Sequence, residues 1–433
     1  MLIFATQKQI KEMKGKYCVI LILLITLFTG FFSSCGKDRW ELYKPYTSQS
    51  IWIDSVMREN YLWNDELTDE DELTSSYFLN SVAFLQKVKF SSDNVSYVDT
   101  ICSKPAANYG YELILNQVND TAYMAVVTYV EPVSPAASAG LQRGEWIMGV
   151  DGSLITSDTQ DLLTDGEAHT LAIGYLSTMI PEDSEEEQTV IIYHRDASLP
   201  AAVSVFTDDL PVVAVINNEI GYMLYNDIAA ENQQKVAAAS QALASRDITD
   251  LVLDLRFATT GDVSGFQYLA SIVAPSSALG TTLAQVQYAE SRHIPNALPF
   301  LTANELGNGV NLNLNTLYIL TNTTAGPAEM LINCLRQVMN VVVIGQKTQG
   351  IAVACESFYD PAKDQLLRLA ACQVKDASGN ADYAGTGISP DYTATPLSPI
   401  SGILPFGNPE ENMLSVALKV IYGEMEEEEE TQY

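Results

Sequence analysis

Short apolar runs separated by stretches of helical length dominate the C-terminal half of the chain. The spacing predicts strands at 220–225, 251–256 and 341–344, and helices at 231–245 and 328–338. Because buried strands and helices that alternate along a chain pack in layers, we expect an α/β domain here. We place this domain at residues 209–423.

A helical period marks the N-terminal part of the chain. Apolar residues recur at i, i+3, i+4 and i+8 from Ile53 to Tyr61, which predicts an amphipathic helix over residues 50–64. A second helix is predicted over residues 76–88. Residues 35–103 are therefore interpreted as a linker followed by a helical segment.

Short strands with turn residues between them are predicted from residue 104 to residue 208. Ser134-Pro135 can start a short helix, Gly140 can end it, and residues 146–150 have the composition of a buried strand. We expect a β-rich domain between the helical segment and the α/β domain.

Composition excludes several classes of function. The chain has 433 residues, of which 47% are hydrophobic and 18% charged, and this is typical of a globular protein. Its net charge of −31 opposes binding to phosphate backbones, so no nucleic-acid partner is expected. Scattered histidines and the lack of a CxxC pair indicate neither a metal site nor a cofactor.

The N-terminus has the layout of an export signal. A lysine-bearing stretch precedes the apolar run 18–32, small residues follow, and Cys35 comes directly after them. We interpret residues 1–34 as a lipoprotein signal peptide and Cys35 as the lipidated first residue of the exported protein. The membrane is then a partner through the lipid, at the outer membrane or the cell surface. Residues 424–433 are predicted to be an acidic tail.

A motif in the α/β domain points to a family. A predicted strand leads through Thr324-Ala-Gly-Pro-Ala-Glu329 into a helix, and the next strand leads into Gln349-Gly-Ile351. This order resembles the core of the carboxyl-terminal processing (tail-specific, tricorn-like) serine peptidases. Their pattern is Ser-Ala-Ser-Ala-Ser-Glu before the helix and Gly-Lys after the second strand. Two further stretches, Asp254-Leu-Arg256 and Gly387-Ile-Ser-Pro-Asp391, also resemble the family.

The resemblance implies a catalytically degenerate member. Aligned on Glu329, the nucleophilic serine position is Gly326, and aligned on Gly350, the basic lysine position is Ile351. The family also takes oxyanion donors from a Gly-Gly after Asp-Leu-Arg. Here Thr260 precedes Gly261, and a β-branched residue fits poorly if position 260 requires a positive φ.

The stretch 134–152 resembles the core of a PDZ domain, which binds a C-terminal strand by edge addition. The resemblance implies that the carboxylate-binding loop is Tyr109-Gly110-Tyr111-Glu112-Leu113. Glu112 departs from that pattern, because a carboxylate beside the loop weakens the capture of another carboxylate.

Three functions stay open at this point. The first is a catalytically silent protein that binds peptide or protein C-termini through the PDZ domain and the cleft. The second is an active serine- or threonine-type peptidase with a relocated dyad, for which Thr324 and Lys347 are the candidates. The third is a scaffold lipoprotein whose cleft binds nothing.

Overall fold

The computed structural model describes residues 40–100, 106–180, 187–210, 212–292, 296–395 and 403–425. The predicted signal peptide, Cys35 and most of the acidic tail lie outside the described residues. The chain divides into two compact units. One contains the described residues up to Asp54 together with Thr68–Phe84, and the other contains Ser55–Leu67 and the described residues from Leu85 onward.

The helices and strands follow in chain order. The helices are α1 (Trp40–Asn60), α2 (Ser81–Val88), α3 (Pro135–Ser138), α4 (Gln233–Ala244), α5 (Val263–Val273), α6 (Pro327–Leu335) and α7 (Asn412–Tyr422). The strands up to residue 204 are β1 (Tyr97–Thr100), β2 (Ala107–Asn108), β3 (Tyr111–Gln117), β4 (Tyr123–Val130), β5 (Trp146–Val150), β6 (Ser153–Leu154), β7 (His169–Met179), β8 (Gln188–Leu199) and β9 (Val203–Ser204). The later strands are β10 (Val212–Ile216), β11 (Ile220–Leu224), β12 (Asp227–Ile228), β13 (Asp250–Asp254), β14 (Thr260–Gly261), β15 (Thr282–Tyr288), β16 (Ala297–Pro299), β17 (Thr316–Thr321), β18 (Asn340–Gly345), β19 (Val353–Asp360), β20 (Gln365–Asp376) and β21 (Tyr392–Thr393).

The predicted strands β11, β13, β17 and β18 lie next to one another in a sheet of order β10-β11-β13-β17-β18-β21, in which β10 and β21 were not predicted. Strands β11, β13, β17, β18 and β21 are parallel, and β10 joins β11 antiparallel. Helices α4, α5 and α6 pack on one face, and α7 packs on the other. Burial on both faces explains why these strands are continuous apolar runs rather than alternating ones.

A second, antiparallel sheet was not predicted from the sequence. Its strands follow the order β1-β20-β15-β16, and β19 forms a hairpin with β20. Strand β1 comes from the segment that was interpreted as helical, yet it pairs with β20 about 270 residues later. A local sequence pattern does not predict such a distant strand pairing, because the pairing depends on which surfaces meet in the folded chain.

The predicted β-rich stretch forms a sheet in the order β3-β4-β5-β7-β8. Ser134 caps α3 by accepting a hydrogen bond from the Ala137 N–H, and Gly140 follows the helix with a positive φ of 71°. The strand expected at 146–150 is β5. Local turn chemistry therefore placed these elements correctly.

Two predicted helices have different bounds. Helix α1 begins at Trp40, earlier than residue 50, and ends at Asn60. Pro45 lies inside it, and a proline in the sequence argues against a helix interior. The helix predicted over 76–88 is divided: a 3-10 turn covers Ser76–Phe78, and α2 starts only at Ser81. Asn80 causes the division, because its side chain accepts a hydrogen bond from the Ala83 N–H and caps α2.

A buried network of charges connects the β-rich region to the α/β domain. Arg256 is fully buried and contacts Asp254 at 2.8 Å and Glu411 at 2.7 Å. Arg143, from the turn before β5, donates to the Leu404 carbonyl at 2.9 Å and lies 3.8 Å from Glu411. Burial raises the pKa of Glu411, but its hydrogen bonds with Arg256 outweigh this effect and hold the pKa below its ordinary value. Each buried charge is thus paired, as a low-dielectric interior requires.

His169 makes the stability of the β-rich region dependent on pH. Its ring lies between Asp151 at 2.8 Å and Asp165 at 2.9 Å. Burial lowers the pKa of His169, yet the two carboxylates outweigh burial and the net pKa shift is upward. A raised pKa stabilises the folded state fully below the unfolded value of about 6.5, and this stabilisation is lost as pH rises through the folded pKa.

We therefore expect the difference in unfolding free energy between wild type and His169→Gln to be larger at pH 5.5 than at pH 9. Both carboxylates stay ionised across this range, so the histidine alone changes charge. Urea unfolding of the two proteins at both pH values measures the difference. A constant difference would contradict the assigned role of His169.

Candidate functional site

The turn that opens α6 lies at the carboxyl end of the parallel strand β17. Gly326 is the N-cap of α6 and Pro327 is its first residue, as the sequence predicts. The backbone of Gly326 has φ 58° and ψ −121°, a conformation that L-residues rarely adopt. An added Cβ would meet its nearest atom at 3.8 Å, so the restriction at Gly326 is conformational rather than steric.

Glu329 holds this turn against the loop that follows β18. Its fully buried carboxylate accepts hydrogen bonds from the N–H groups of Gly326 at 3.0 Å, Gly350 at 2.6 Å and Ile351 at 2.7 Å. The Thr348 hydroxyl also donates to it. One anion therefore fixes the backbone at both positions that the resemblance assigned to nucleophile and base.

The segment that resembles the family's Gly-Ile-x-Pro-Asp signature supports the same loop. Thr348 and Ile388 exchange hydrogen bonds, and the Gly385 N–H donates to the Gly350 carbonyl at 2.7 Å. An added Cβ at Gly387 would lie 2.0 Å from the Thr348 carbonyl oxygen, so only glycine fits there. The loop that carries Ile351 is consequently held from two sides.

The structure corrects the expectation for Thr260. Thr260 lies in β14, which pairs in parallel with β12, and its φ is not positive. A β-branched residue is well suited to such an extended backbone. The positive φ belongs to Gly261, at 144°, where an added Cβ would lie 2.4 Å from the Ile228 carbonyl oxygen.

Gly326, Ile351, Thr260 and Gly261 converge on one cavity of about 440 Å³, which we call the first cavity. Its other lining residues come from five segments of the chain and are Asn94, Val95, Tyr97, Thr259, Thr323, Ala325, Pro327, Gln349, Val353, Cys355 and Arg368. The cleft expected from the resemblance is therefore open in this structure.

A second cavity of about 760 Å³ shares Gly261, Cys355 and Arg368 with the first. The two cavities therefore lie side by side along β19. Sequence reasoning had named Gly261 but missed Cys355 and Arg368. The strand β19 carries no motif, and Arg368 is recognisable only by its contact, a 2.9 Å hydrogen bond from its guanidinium to the Gly261 carbonyl.

Neither candidate for the relocated dyad, Thr324 or Lys347, lines the first cavity. The fully buried Thr324 hydroxyl donates to the Leu255 carbonyl at 2.7 Å and accepts from the Asn322 N–H at 3.1 Å. Lys347 is exposed and does not line the first cavity. The geometry thus brings Gly326 and Ile351 to one cavity, whereas the Thr324 hydroxyl is engaged by the backbone and Lys347 does not line that cavity.

The candidate carboxylate-binding residues lie at the start of β3. Tyr109 and Gly110 are buried, and the Gly110 N–H already donates to the Asn108 side chain at 2.7 Å. The Tyr111 hydroxyl donates to the Leu163 carbonyl at 2.6 Å. Leu113 and the exposed Glu112 belong to β3 itself rather than to a loop, and the pairing with β4 shifts between them.

Comparison with known proteins identifies the family. Residues 219–394 match the model of peptidase family S41, and residues 48–97 match that of the peptidase S41 N-terminal domain. A crystal structure of a Bacteroides fragilis protein assigned to the S41 proteases is 35% identical with a TM-score of 0.78, and the match covers 87% of this chain and 98% of that one. This chain belongs to peptidase family S41.

The photosystem II D1 C-terminal processing protease also matches, at 17% identity with a TM-score of 0.43, over 80% of this chain and 92% of its own. A likeness of that size adds nothing to the assignment. The resemblance to tail-specific peptidases is confirmed at the level of the family, and the mixed α/β architecture agrees with it.

Glu329 should be essential for the stability of this S41 core. Glu329→Ala leaves three backbone donors and one hydroxyl without an acceptor, and each buried unsatisfied group costs about 1–3 kcal/mol. We expect Glu329→Ala to lower the free energy of unfolding by about 3–5 kcal/mol and Glu329→Gln by a smaller amount.

Chemical denaturation monitored by tryptophan fluorescence measures both changes. Glu231→Gln is the matched control, because Glu231 is exposed and its substitution should stay within about 0.5 kcal/mol of wild type. Wild-type stability in Glu329→Ala would show that the carboxylate does not hold the cleft.

Proposed function

We propose that this S41 family member binds extended peptides and protein C-termini without cleaving them. The observation that carries the proposal is the open first cavity beside Gly326 and Ile351. Space for a peptide is retained there, while the two positions assigned to nucleophile and base carry a hydrogen atom and an aliphatic chain. Acyl transfer requires an activated nucleophile and a base, and neither side chain supplies one.

The surrounding side chains offer no evident replacement. Neither histidine nor lysine occurs among the described residues that line the two cavities. The Thr323 hydroxyl donates to the Arg256 carbonyl at 3.0 Å. Burial raises the pKa of the Cys355 thiol, although Arg368 partly opposes this effect, so the thiol stays protonated and is a poor nucleophile.

Stabilisation of an oxyanion is weakened as well. The Gly326 N–H points to Glu329 and is already hydrogen-bonded, and Pro327 has no N–H to offer. Donors that are not directed at the developing charge cannot lower the barrier. The arrangement around Gly326 therefore favours binding over turnover.

The β-rich region supports a second binding surface, in the manner of a PDZ domain. Among the described strands, β3 pairs with β4 alone and so lies at the edge of its sheet, and Ile114 and Leu115 are exposed on it. An extended peptide can add to such an edge through backbone hydrogen bonds. Since the Gly110 N–H is occupied and Glu112 is close, we expect weak binding of a terminal carboxylate.

The full-length chain in neutral detergent should therefore bind unstructured, apolar-tailed peptides and leave them intact. Calorimetry measures binding of peptides with free and amidated C-termini, and mass spectrometry after prolonged incubation detects cleavage. We expect weaker binding of the amidated peptide and no products. Cleavage that disappears in Thr324→Ala or Lys347→Ala would establish a relocated dyad instead.

The same assay tests whether the side chains at positions 326 and 351 alone account for the expected absence of cleavage. Gly326→Ser with Ile351→Lys should restore at most faint cleavage, because φ 58° at position 326 strains a serine and Pro327 still lacks a donor. Adding Pro327→Ala should be required for more, because it returns the missing N–H next to the restored serine.

We further propose that the protein is exported and anchored to the cell envelope by a lipid on Cys35. The order of lysines, apolar run and small residues before Cys35 supports this proposal. Within the part of the chain that the structure describes, the helices are too short or too polar to cross a bilayer.

Replacing Cys35 by Ala should move the protein from the membrane fraction to the soluble fraction, because the acyl chains can no longer attach. Cys18→Ala is the matched control, since it removes a thiol from the apolar run before the cleavage site. Immunoblotting of fractionated cells reads out both variants. Wild-type protein in the soluble fraction would refute the anchor.

A further inference from the structure

The first turns of α1 expose large apolar side chains. Leu42, Tyr43 and Tyr46 are 68%, 43% and 71% exposed, and they lie at positions i, i+1 and i+4, on one side of the helix. Phe78 is 53% exposed, and its ring meets the Tyr43 ring edge-on with 5.7 Å between centroids. We call these four residues the N-terminal patch.

The patch is one continuous surface made by two segments of the chain. All four residues belong to the compact unit that contains the start of α1. Within that unit the Ser50 hydroxyl donates to the Leu79 carbonyl at 2.9 Å, and the Tyr77 hydroxyl donates to the Asp54 carboxylate at 2.9 Å. These hydrogen bonds hold the turn that carries Phe78 against α1.

The distance along the chain from Cys35 limits where this surface can be. Trp40, the first residue of α1, follows Cys35 by five residues. An extended chain spans at most about 3.6 Å per residue, so the Cα atoms of Cys35 and Trp40 are within about 18 Å of each other. The helix adds about 1.5 Å per residue, which places Tyr46 within about 27 Å of Cys35. When acyl chains on Cys35 are inserted in a bilayer, the patch therefore stays close to the lipid headgroups.

The side chains of the patch suit the boundary between headgroups and hydrocarbon. A tyrosine has an apolar ring and a polar hydroxyl, and tyrosines are enriched at this depth of a membrane. Lys44 is exposed between Tyr43 and Tyr46, and a lysine can contact lipid with its methylene groups while its ammonium group stays in water. Residues 36–46 carry three basic and two acidic side chains, although the whole chain has a net charge of −31. The segment nearest the anchor thus lacks the negative charge that opposes contact with a lipid surface.

We propose that the N-terminal patch lies in the headgroup region of the bilayer that holds the lipid on Cys35. This inference rests on the proposed lipid anchor and adds a contact between the protein itself and the same membrane. Apolar burial drives the contact, because the exposed residues Asp69, Glu70 and Asp71 of the same unit oppose attraction to anionic lipids. Four side chains bind an interface only weakly, so the acyl chains attach the protein and the patch orients this unit on the bilayer.

The experiment uses the full acylated chain in phosphatidylcholine nanodiscs at one copy per disc. Tyr46→Cys in a Cys102→Ser background carries the fluorophore NBD, which dithionite reduces rapidly only from water. Ser245→Cys, labelled in the same way, is the exposed control site. We expect reduction at position 46 to be about fivefold slower than at position 245. The background protein without an added cysteine measures any labelling of the buried thiols, which are those of Cys334, Cys355 and Cys372.

Variants of the labelled protein locate the effect. Leu42→Ser combined with Phe78→Ser should remove most of the slow reduction at position 46, because it removes the apolar groups beside the label. Val133→Ser is the matched control, because Val133 is 86% exposed and lies outside the patch, and here the slow reduction should persist. Slow reduction that survives in the Leu42→Ser, Phe78→Ser protein would overturn the assignment.

The remaining outcomes separate this inference from the proposed anchor. If intact mass shows acyl chains on Cys35 and the label at position 46 is reduced as fast as at position 245, the patch contact is overturned and the anchor stands. If Cys35 carries no acyl chain, the anchor is overturned and this inference with it. Fast reduction in single-copy discs that becomes slow in two-copy discs would assign the patch to a second copy of the chain. Slow reduction in native envelope fragments alone would assign it to a protein partner.

Discussion

The carboxylate of Glu329 is the constraint on which the cleft depends. Backbone N–H groups from the start of α6 and from the loop after β18 converge on this single buried anion. A negative charge is also favourable at a helix N-terminus, because the helix dipole and the free N–H groups point toward it. Two segments about twenty residues apart are thereby held as one wall of the cavity.

The carboxylate of Glu329 accepts hydrogen bonds from backbone N–H groups, and these contacts do not involve the side chains at the positions assigned to nucleophile and base. Gly326 and Ile351 donate through their N–H groups, which every residue except proline possesses. A change of side chain at Ile351 leaves its hydrogen bond in place, whereas Gly326 also has a backbone conformation that favours glycine. The wall of the first cavity therefore depends on backbone hydrogen bonds to Glu329 rather than on the side chain at position 351.

A second constraint acts through Arg256, the last residue of the Asp254-Leu-Arg256 motif. Its guanidinium joins Asp254 at the end of β13 to Glu411 at the cap of α7, and Arg143 from the β-rich region approaches the same carboxylate. The polypeptide that continues beyond Arg256 carries Thr260 and Gly261 to the first cavity. The buried charges consequently hold the start of this loop against α7 and connect it to the turn before β5.

The sequence alone determined those features that a short stretch of chain decides by itself. Apolar runs predicted the strands of the parallel sheet, and Ser134 and Pro327 predicted the starts of two helices. The spacing between Glu329 and Gly350 indicated the family. Only the tertiary structure decided the antiparallel sheet, the extended backbone of Thr260, the burial of Thr324 and the approach of Arg368 and Asp227 to the cavities. The physical reason is that periodicity and capping act over a few residues, whereas cavity walls are made by segments brought together through packing across the whole chain.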